Sequence, residues 1–238
     1  MIPGRCKRNK ENKNGFFAGL PESGRVFAIP YELSRRGIQR HGREGGVHQW
    51  ALEKMIRTTG KKFHNVITVL IGGETHMAAI RDGRPLDVSD GFSAADGILS
   101  ETGCGAVDSS IVFQLLGDGM PGDRVEELLL KQSGFKALAG GRFTLMDILR
   151  RKDAGAAFAR EIFCYQILKY IGAFTAGLGG LDLILFIGEG RRDIRKLAFD
   201  LTGRLKFMGI KRQATVARAE ISCLTTRTSS IGVYFLER

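Results

Sequence analysis

No apolar run in this sequence reaches the ~18 residues that a membrane-spanning helix requires. The basic N-terminal stretch also lacks the apolar core of a secretory signal. The expectation is a cytoplasmic protein with no membrane association. Cysteine is sparse: Cys6, Cys104, Cys164 and Cys223 stand far apart, without the paired spacing that holds zinc, and are expected as reduced, mostly buried thiols. Acidic residues are the minority, 25 against 36 lysines and arginines, which leaves a net charge of +11. Such a balance suits an anionic ligand but does not choose among a nucleotide, a nucleic acid and a membrane surface. With 238 residues, 43% of them hydrophobic, the chain can bury a substantial core.

What is present is organised around Val66 to Ile111. The run Val66-Ile67-Thr68-Val69-Leu70-Ile71 is long enough for a buried strand, Gly72-Gly73 turns the chain, and Thr75 to Ile80 starts a second strand. Arg81-Asp82-Gly83-Arg84 has the composition of a tight hairpin turn, with Pro85 to Ser89 returning as a third strand. A glycine turn between strands lets main-chain N–H groups converge on an anion, although most such turns hold nothing.

Upstream, residues 1–14 are polar and basic and read as a flexible tail. Arg25 to Ile29 reads as a strand ended by Pro30, followed by a short helix from Tyr31 and a helix from Val47 to Thr58. Downstream, helices are expected over Ser109 to Phe113, Asp123 to Gln132, Phe143 to Arg151 and Phe158 to Thr175. In the last, Phe158, Ile162, Tyr165, Ile167, Leu168, Ile171 and Phe174 recur at helical intervals. Leu181 to Ile187 reads as a buried strand, Arg191 to Leu205 as a basic helix, and Ile221 to Leu224 and Ile231 to Phe235 as strands. Asp87, Asp96, Asp108 and Asp147 are read as turn and cap residues ahead of metal ligands. The alternation fits an α/β domain with a mixed sheet flanked by helices.

The order of Ala28-Ile29-Pro30-Tyr31-Glu32, Gly37-Ile38, His48, Asp82-Gly83, Asp87-Val88-Ser89, Gly91-Phe92, Tyr170-Ile171-Gly172-Ala173, Gly179-Gly180-Leu181-Asp182 and Ile187-Gly188-Glu189 resembles the acetate kinase (acetate/propionate kinase) family. That resemblance implies an actin-like ATPase, ribonuclease-H-like fold over residues 15–238. It also implies the family reaction, transfer of the ATP γ-phosphate to acetate or propionate with Mg²⁺. It places the chain on the family's second, nucleotide-binding and dimerisation domain, with the first domain expected to be missing.

The resemblance also marks departures at the family's catalytic positions. The aspartate of F-D-T-A-F-H falls on Lys13. In G-F-H-G-T-S-H, now Gly42-Arg43-Glu44-Gly45-Gly46-Val47-His48, the first histidine is Glu44 and only His48 is retained. The phosphate turn H-L-G-N-G-S-S becomes Leu70-Ile71-Gly72-Gly73-Glu74-Thr75-His76, which keeps Gly72 and adds an acid at Glu74. The arginine of G-T-R-S-G-D-I-D-P is Gly103. On the adenosine side, S-S-D-M-R-D becomes Arg142 to Asp147, which leaves Thr144 and Met146, and T-G-G-I-G-E-N is shortened to Ile187-Gly188-Glu189.

The candidate nucleotide contacts are therefore Gly72, Gly73, Gly188 and Glu189. No intact metal ligand is expected, and local repulsion from Glu44 and Glu74 argues against tight MgATP binding. The expected function is a truncated, acetate kinase-like protein that is impaired or inactive alone. The alternative is a dimerising or regulatory partner of itself or of a full-length kinase. A nucleic-acid role rests only on the net charge and the tail.

Overall fold

The structure, a computed structural model, describes residues 15–188, 192–216 and 219–238. The expected tail at 1–14 lies outside the described residues. After a 3-10 turn at Phe16–Gly19 come the short helices α1 (Glu22–Arg25) and α2 (Tyr31–Arg35), then α3 (Gly45–Thr59). Strands β1 (Asn65–Ile71), β2 (His76–Arg81) and β3 (Arg84–Val88) follow. Helices α4 (Ser109–Gly117), α5 (Gly122–Lys131), α6 (Gly134–Leu138), α7 (Leu145–Arg150) and α8 (Ala154–Leu178) lead to β4 (Leu183–Gly188). Helix α9 (Arg192–Arg204) and strands β5 (Ile221–Cys223) and β6 (Gly232–Glu237) complete the described chain.

The strands form one mixed sheet in the order β3-β2-β1-β4-β6-β5. Parallel pairing joins β1 to β4 and β4 to β6, while β2 and β3 extend β1 as an antiparallel meander. The central strands are apolar on both faces because both are covered. Ile67, Val69 and Ile71 of β1 and Ile184 and Phe186 of β4 point into the core under α8 and α9. Val66, Leu70, Leu183, Leu185 and Ile187 alternate to the other face, where α3 contributes Ala51, Leu52 and Met55. The β2–β3 hairpin closes on Asp82 and Gly83, with φ of 51° and 75°. Positive φ at both central residues is the turn whose twist matches the flanking strands.

Two expectations are corrected. Arg25 to Ile29 is not a strand: α1 ends at Arg25, and Ile29 N–H turns back to Phe27 O. Gly24 lies so close to Leu86 O that a Cβ would stand 2.3 Å from it, so the segment presses on β3 through a helical turn, not a strand ladder. Helix α8 is longer than expected and keeps only part of the expected row: Ile167, Ile171 and Phe174 are core and Ile162 and Leu168 pack against it, but Phe158 and Tyr165 do not. Its core residues are Ala156, Ala159, Phe163, Cys164, Ile167, Ile171, Phe174 and Leu178, whereas Phe158 and Tyr165 are 58% and 59% exposed. The helix is apolar nearly all round, so periodicity alone could not say which row meets the sheet. Asp153 caps its start by accepting from Ala156 N–H, and Gly179, at φ 73°, ends it. Among the described cysteines, all free, only Cys164 is buried, and burial pushes its thiol up to about 11.

Beneath β1, His48 of α3 is fully buried, and its Nδ1 lies 2.7 Å from Thr68 Oγ1. Thr68 Oγ1 also lies 3.5 Å from Ala78 O, and His48 Nε2 is buried without a hydrogen-bond partner. Desolvation, then the proximity of His76, pushes the His48 pKa down from 6.5 to about 3.

Phe163 stacks edge-on against Phe135 with ring centroids 5.5 Å apart. Phe163→Ala is expected to cost about 3–5 kcal/mol, and Phe158→Ala no more than about 0.5 kcal/mol, in urea unfolding. Equal losses would show that the wrong row has been assigned to the core. His48 is neutral when folded and takes up a proton when unfolded, so its contribution to stability is full above pH 6.5 and is lost as pH falls toward 3. Between pH 7 and pH 5 that loss is about 2 kcal/mol. His48→Gln should flatten the dependence, and an unchanged slope would contradict the assignment.

Candidate functional site

A cleft of about 440 Å³ opens where β1 ends, bounded by Gly72, Gly73 and Glu74, by the start of α7 and by Ile194 of α9. In an open α/β sheet this is where ligands bind, outside the carboxyl ends of parallel strands. The sheet carries Gly72 and Gly73 to one wall and the capping box of α7 carries Thr144 and Met146 to the other, so the positions that the resemblance assigns to the phosphate turn and the adenosine line one cavity. Neither Gly72 nor Gly73 has a left-handed φ. A Cβ on Gly73 would stand 3.7 Å from Glu101 Oε1, so the glycine there keeps the wall open and does not relieve backbone strain.

The other expected positions are scattered around this cavity. Glu44, in a left-handed conformation at φ 54°, lines it. Gly103 does not: it lies in the turn after Ser100, donates its N–H to Ser100 Oγ at 3.0 Å, and offers no side chain to the cleft. His48 lies in the core below the sheet and is a packing residue. Gly188 ends β4 away from the lining, and a Cβ there would stand 2.7 Å from Ile194 Cγ2, so its glycine lets α9 approach the sheet. Lys13 and Glu189 lie outside the described residues.

Reading the residues alone misses four groups that matter. Arg43 Nη1 holds Glu74 Oε2 at 2.8 Å, and Arg238 Nη1 stands 3.8 Å from Glu44 Oε2. His76 lines the cleft with Nδ1 on Asp90 Oδ1 at 2.8 Å, and Glu101 lines it while accepting from Leu145 N–H at 3.3 Å. The acids expected to repel phosphate are therefore not bare charges, which softens the expectation for Glu44 and Glu74. Three carboxylates, Glu44, Glu74 and Glu101, nevertheless face two guanidinium groups. The signal in the sequence was the substitution pattern itself, because Arg43 and His76 stand where the resemblance places Phe and Ser.

The four aspartates weighed as metal ligands do not line the cleft. Asp108 caps α4, and hydrogen bonds from Ser110 hold its carboxyl below the ordinary range. Asp147 completes the capping box with Thr144. Asp87 and Asp96 accept from the next backbone N–H, of Val88 and Gly97. Among the described residues no group of three or more His, Cys, Asp or Glu could hold a metal ion. Glu74 is paired with Arg43, Glu101 accepts from Leu145 N–H, and Glu44 has the Arg238 guanidinium 3.8 Å away. Octahedral Mg²⁺ is usually held by one or two carboxylates together with waters and phosphate oxygens at about 2.1 Å, and among the described residues the cleft offers it no cluster of three such ligands. No helix among the described residues is long and apolar enough to cross a membrane.

A family model described as the acetokinase family matches residues 13–236. The acetate kinase of Sulfurimonas denitrificans is 33% identical over 230 residues, covering 93% of this chain and 58% of that protein. The acetate kinase of Bacteroides fragilis is 30% identical over 227 residues, covering 92% and 57%. The crystal structure of Porphyromonas gingivalis acetate kinase superimposes with a TM-score of 0.82 at 27% identity, over 93% of this chain and 58% of that one. A propionate kinase from Francisella tularensis gives a TM-score of 0.83 over 93% and 59%, and at 24% identity it speaks for the fold alone. The actin-like ATPase fold expected from the resemblance is the one these neighbours share, while the chain spans less than two thirds of their length. From the match over nearly its whole length, the chain belongs to the acetokinase family.

Proposed function

We propose that this chain carries the nucleotide-side domain of an acetate kinase-like phosphotransferase and, on its own, is impaired or inactive in transferring phosphoryl groups to acetate or propionate. One observation carries this reading. Where a transferring phosphoryl group needs positive charge, the cleft presents Glu44, Glu74 and Glu101, and the position of the family's arginine is the side-chain-free Gly103. An arginine stabilising that charge contributes roughly 10³–10⁵ in rate. Arg43 and Arg238 do not replace it while each is engaged by a glutamate.

A second reading, a dimerising or regulatory partner, is favoured by exposed apolar side chains. Helix α8 exposes Phe158 and Tyr165, and α4 exposes Ile111, Phe113 and Leu116. Apolar surface of this kind marks contact sites when it is contiguous. Light scattering after size exclusion is expected to give a mass above that of one chain. A strict monomer that also fails to associate with a full-length acetate kinase would remove this reading.

In the hydroxamate assay with MgATP and acetate, formation of acetyl phosphate is expected to be about 10³-fold or more below that of an intact acetate kinase. Turnover near that of the intact enzyme would overturn the proposal. MgATP itself is expected to bind no tighter than the millimolar range, about −4 kcal/mol, because the carboxylates remain in excess. Long-range attraction to the basic chain is screened beyond ~8 Å at physiological salt. Saturating MgATP should therefore barely move the melting temperature. A micromolar dissociation constant by calorimetry would contradict this. Gly188 is no control for such a measurement, since a larger residue there would strike Ile194.

A further inference from the structure

Three of this chain's departures from the family pattern touch one another. Arg43 replaces a phenylalanine, Glu74 a glycine and His76 a serine of the motifs compared above, and 31 residues of chain separate Arg43 from Glu74. In the fold they form a graded cluster around a fourth residue, Asp90. The Asp90 carboxylate is 9% exposed and holds His76 Nδ1 at 2.8 Å, with Arg43 Nε at 4.0 Å. His76 is 7% exposed and Arg43 21%, whereas Glu74, at the mouth, is 57% exposed. Glu74 Oε2 lies 2.8 Å from Arg43 Nη1 but 3.6 Å from His76 Nε2, beyond hydrogen-bonding distance. A buried imidazole thus lines the cleft with one nitrogen fixed from behind by a carboxylate and the other facing an oxygen it does not bond.

We propose that Arg43 and His76, oriented by Asp90 beside the Gly72-Gly73 turn, form a binding site for a phosphate-class oxyanion, and that the Glu74 carboxylate is its internal occupant. This deepens the reading above, since it concerns the same cleft. The chemistry of the two guests is shared. A guanidinium donates to carboxylate and phosphate oxygens in the same fork geometry, so either can occupy Arg43. With Nδ1–H donated to Asp90, Nε2 is a lone pair; hydrogen phosphate has oxygens that accept from Arg43 and a P–OH that donates to Nε2, a pairing no ionised carboxylate can make. Glu74 is displaceable because an exposed ion pair is weak. It sits on the turn and can swing outward without disturbing the Asp90–His76 pair. One positive group lost at the family's positions is in this way regained at Arg43, with the Glu74 carboxylate holding it closed.

The test uses the full chain and inorganic phosphate, with MgATP in a parallel arm. Glu74→Gly and, as the milder change, Glu74→Gln are expected to tighten phosphate binding at least tenfold over the unchanged protein in calorimetry. Adding Arg43→Gln or His76→Gln to Glu74→Gly should abolish the gain. Melting curves show whether each variant is folded. In the unchanged protein, high phosphate should move the His76 ring resonances in NMR while leaving those of His64 in place, a readout that needs no variant. Tightening toward phosphate alone assigns the site to a free oxyanion, and tightening toward MgATP alone assigns it to the terminal phosphate of a nucleotide. The proposal is overturned if neither Glu74 variant gains affinity for either probe. It is equally overturned if the gain survives either Arg43→Gln or His76→Gln. Acetyl phosphate formation bears only on the lost transfer chemistry, and phosphate affinity bears only on this site, so either reading can fail without the other.

Discussion

Parallel pairing of β1 with β4, buried on both faces, is the constraint on which the rest depends. Six consecutive partners run from Val66 opposite Leu183 to Ile71 opposite Gly188. Alternate side chains feed two separate cores, one under α8 and α9 and one under α3. Because the strands are parallel, both end on the same side of the sheet. The turn at Gly72 and the approach of α9 past Gly188 must then meet there, and the cleft is the space between them. Close packing at Gly188, where not even a Cβ fits against Ile194, fixes that spacing.

Electrostatics within the cleft run against the charge of the molecule. The chain carries +11 overall, yet the cleft at the end of β1 is faced by Glu44, Glu74 and Glu101. Net charge draws anions toward the surface, but at a few ångströms the nearest groups decide. Here they decide by being paired. Arg43 and Arg238 draw two of the acids into ion pairs, and Asp90 commits one nitrogen of His76. The cavity is therefore a set of partly paired charges, with carboxylates in excess, whose ligand preference depends on which pair opens most easily.

The contrast between the two histidines shows how local context divides similar residues. His48 keeps a family position, yet its Nε2 is sealed in the core and its role is packing against Thr68 and Phe17. His76 occupies a departing position and faces the cleft, with a carboxylate behind it. Retention of a residue type therefore did not identify the chemically available imidazole. Burial and the direction of the free nitrogen did.

The sequence by itself determined the central strands, because continuous apolar runs of Val, Ile and Leu suit a sheet covered on both faces. It determined the β2–β3 hairpin, because Asp82-Gly83 accepts positive φ at both positions, and the cap at Asp108, because an aspartate before Ser109-Ser110 accepts a helical N–H. Those are local facts, and local physics decides them. Through the order of its motifs it also determined the family and hence the fold. Only the tertiary structure decided that Arg25 to Ile29 is not a strand, which residues of α8 meet the sheet, and that Gly103 and Gly188 do not line the cleft. It alone paired Arg43 with Glu74 and Glu44 with Arg238. Such pairs join segments far apart in the chain, and their energy depends on distances set by the packing of the whole sheet, which no local pattern of residues contains.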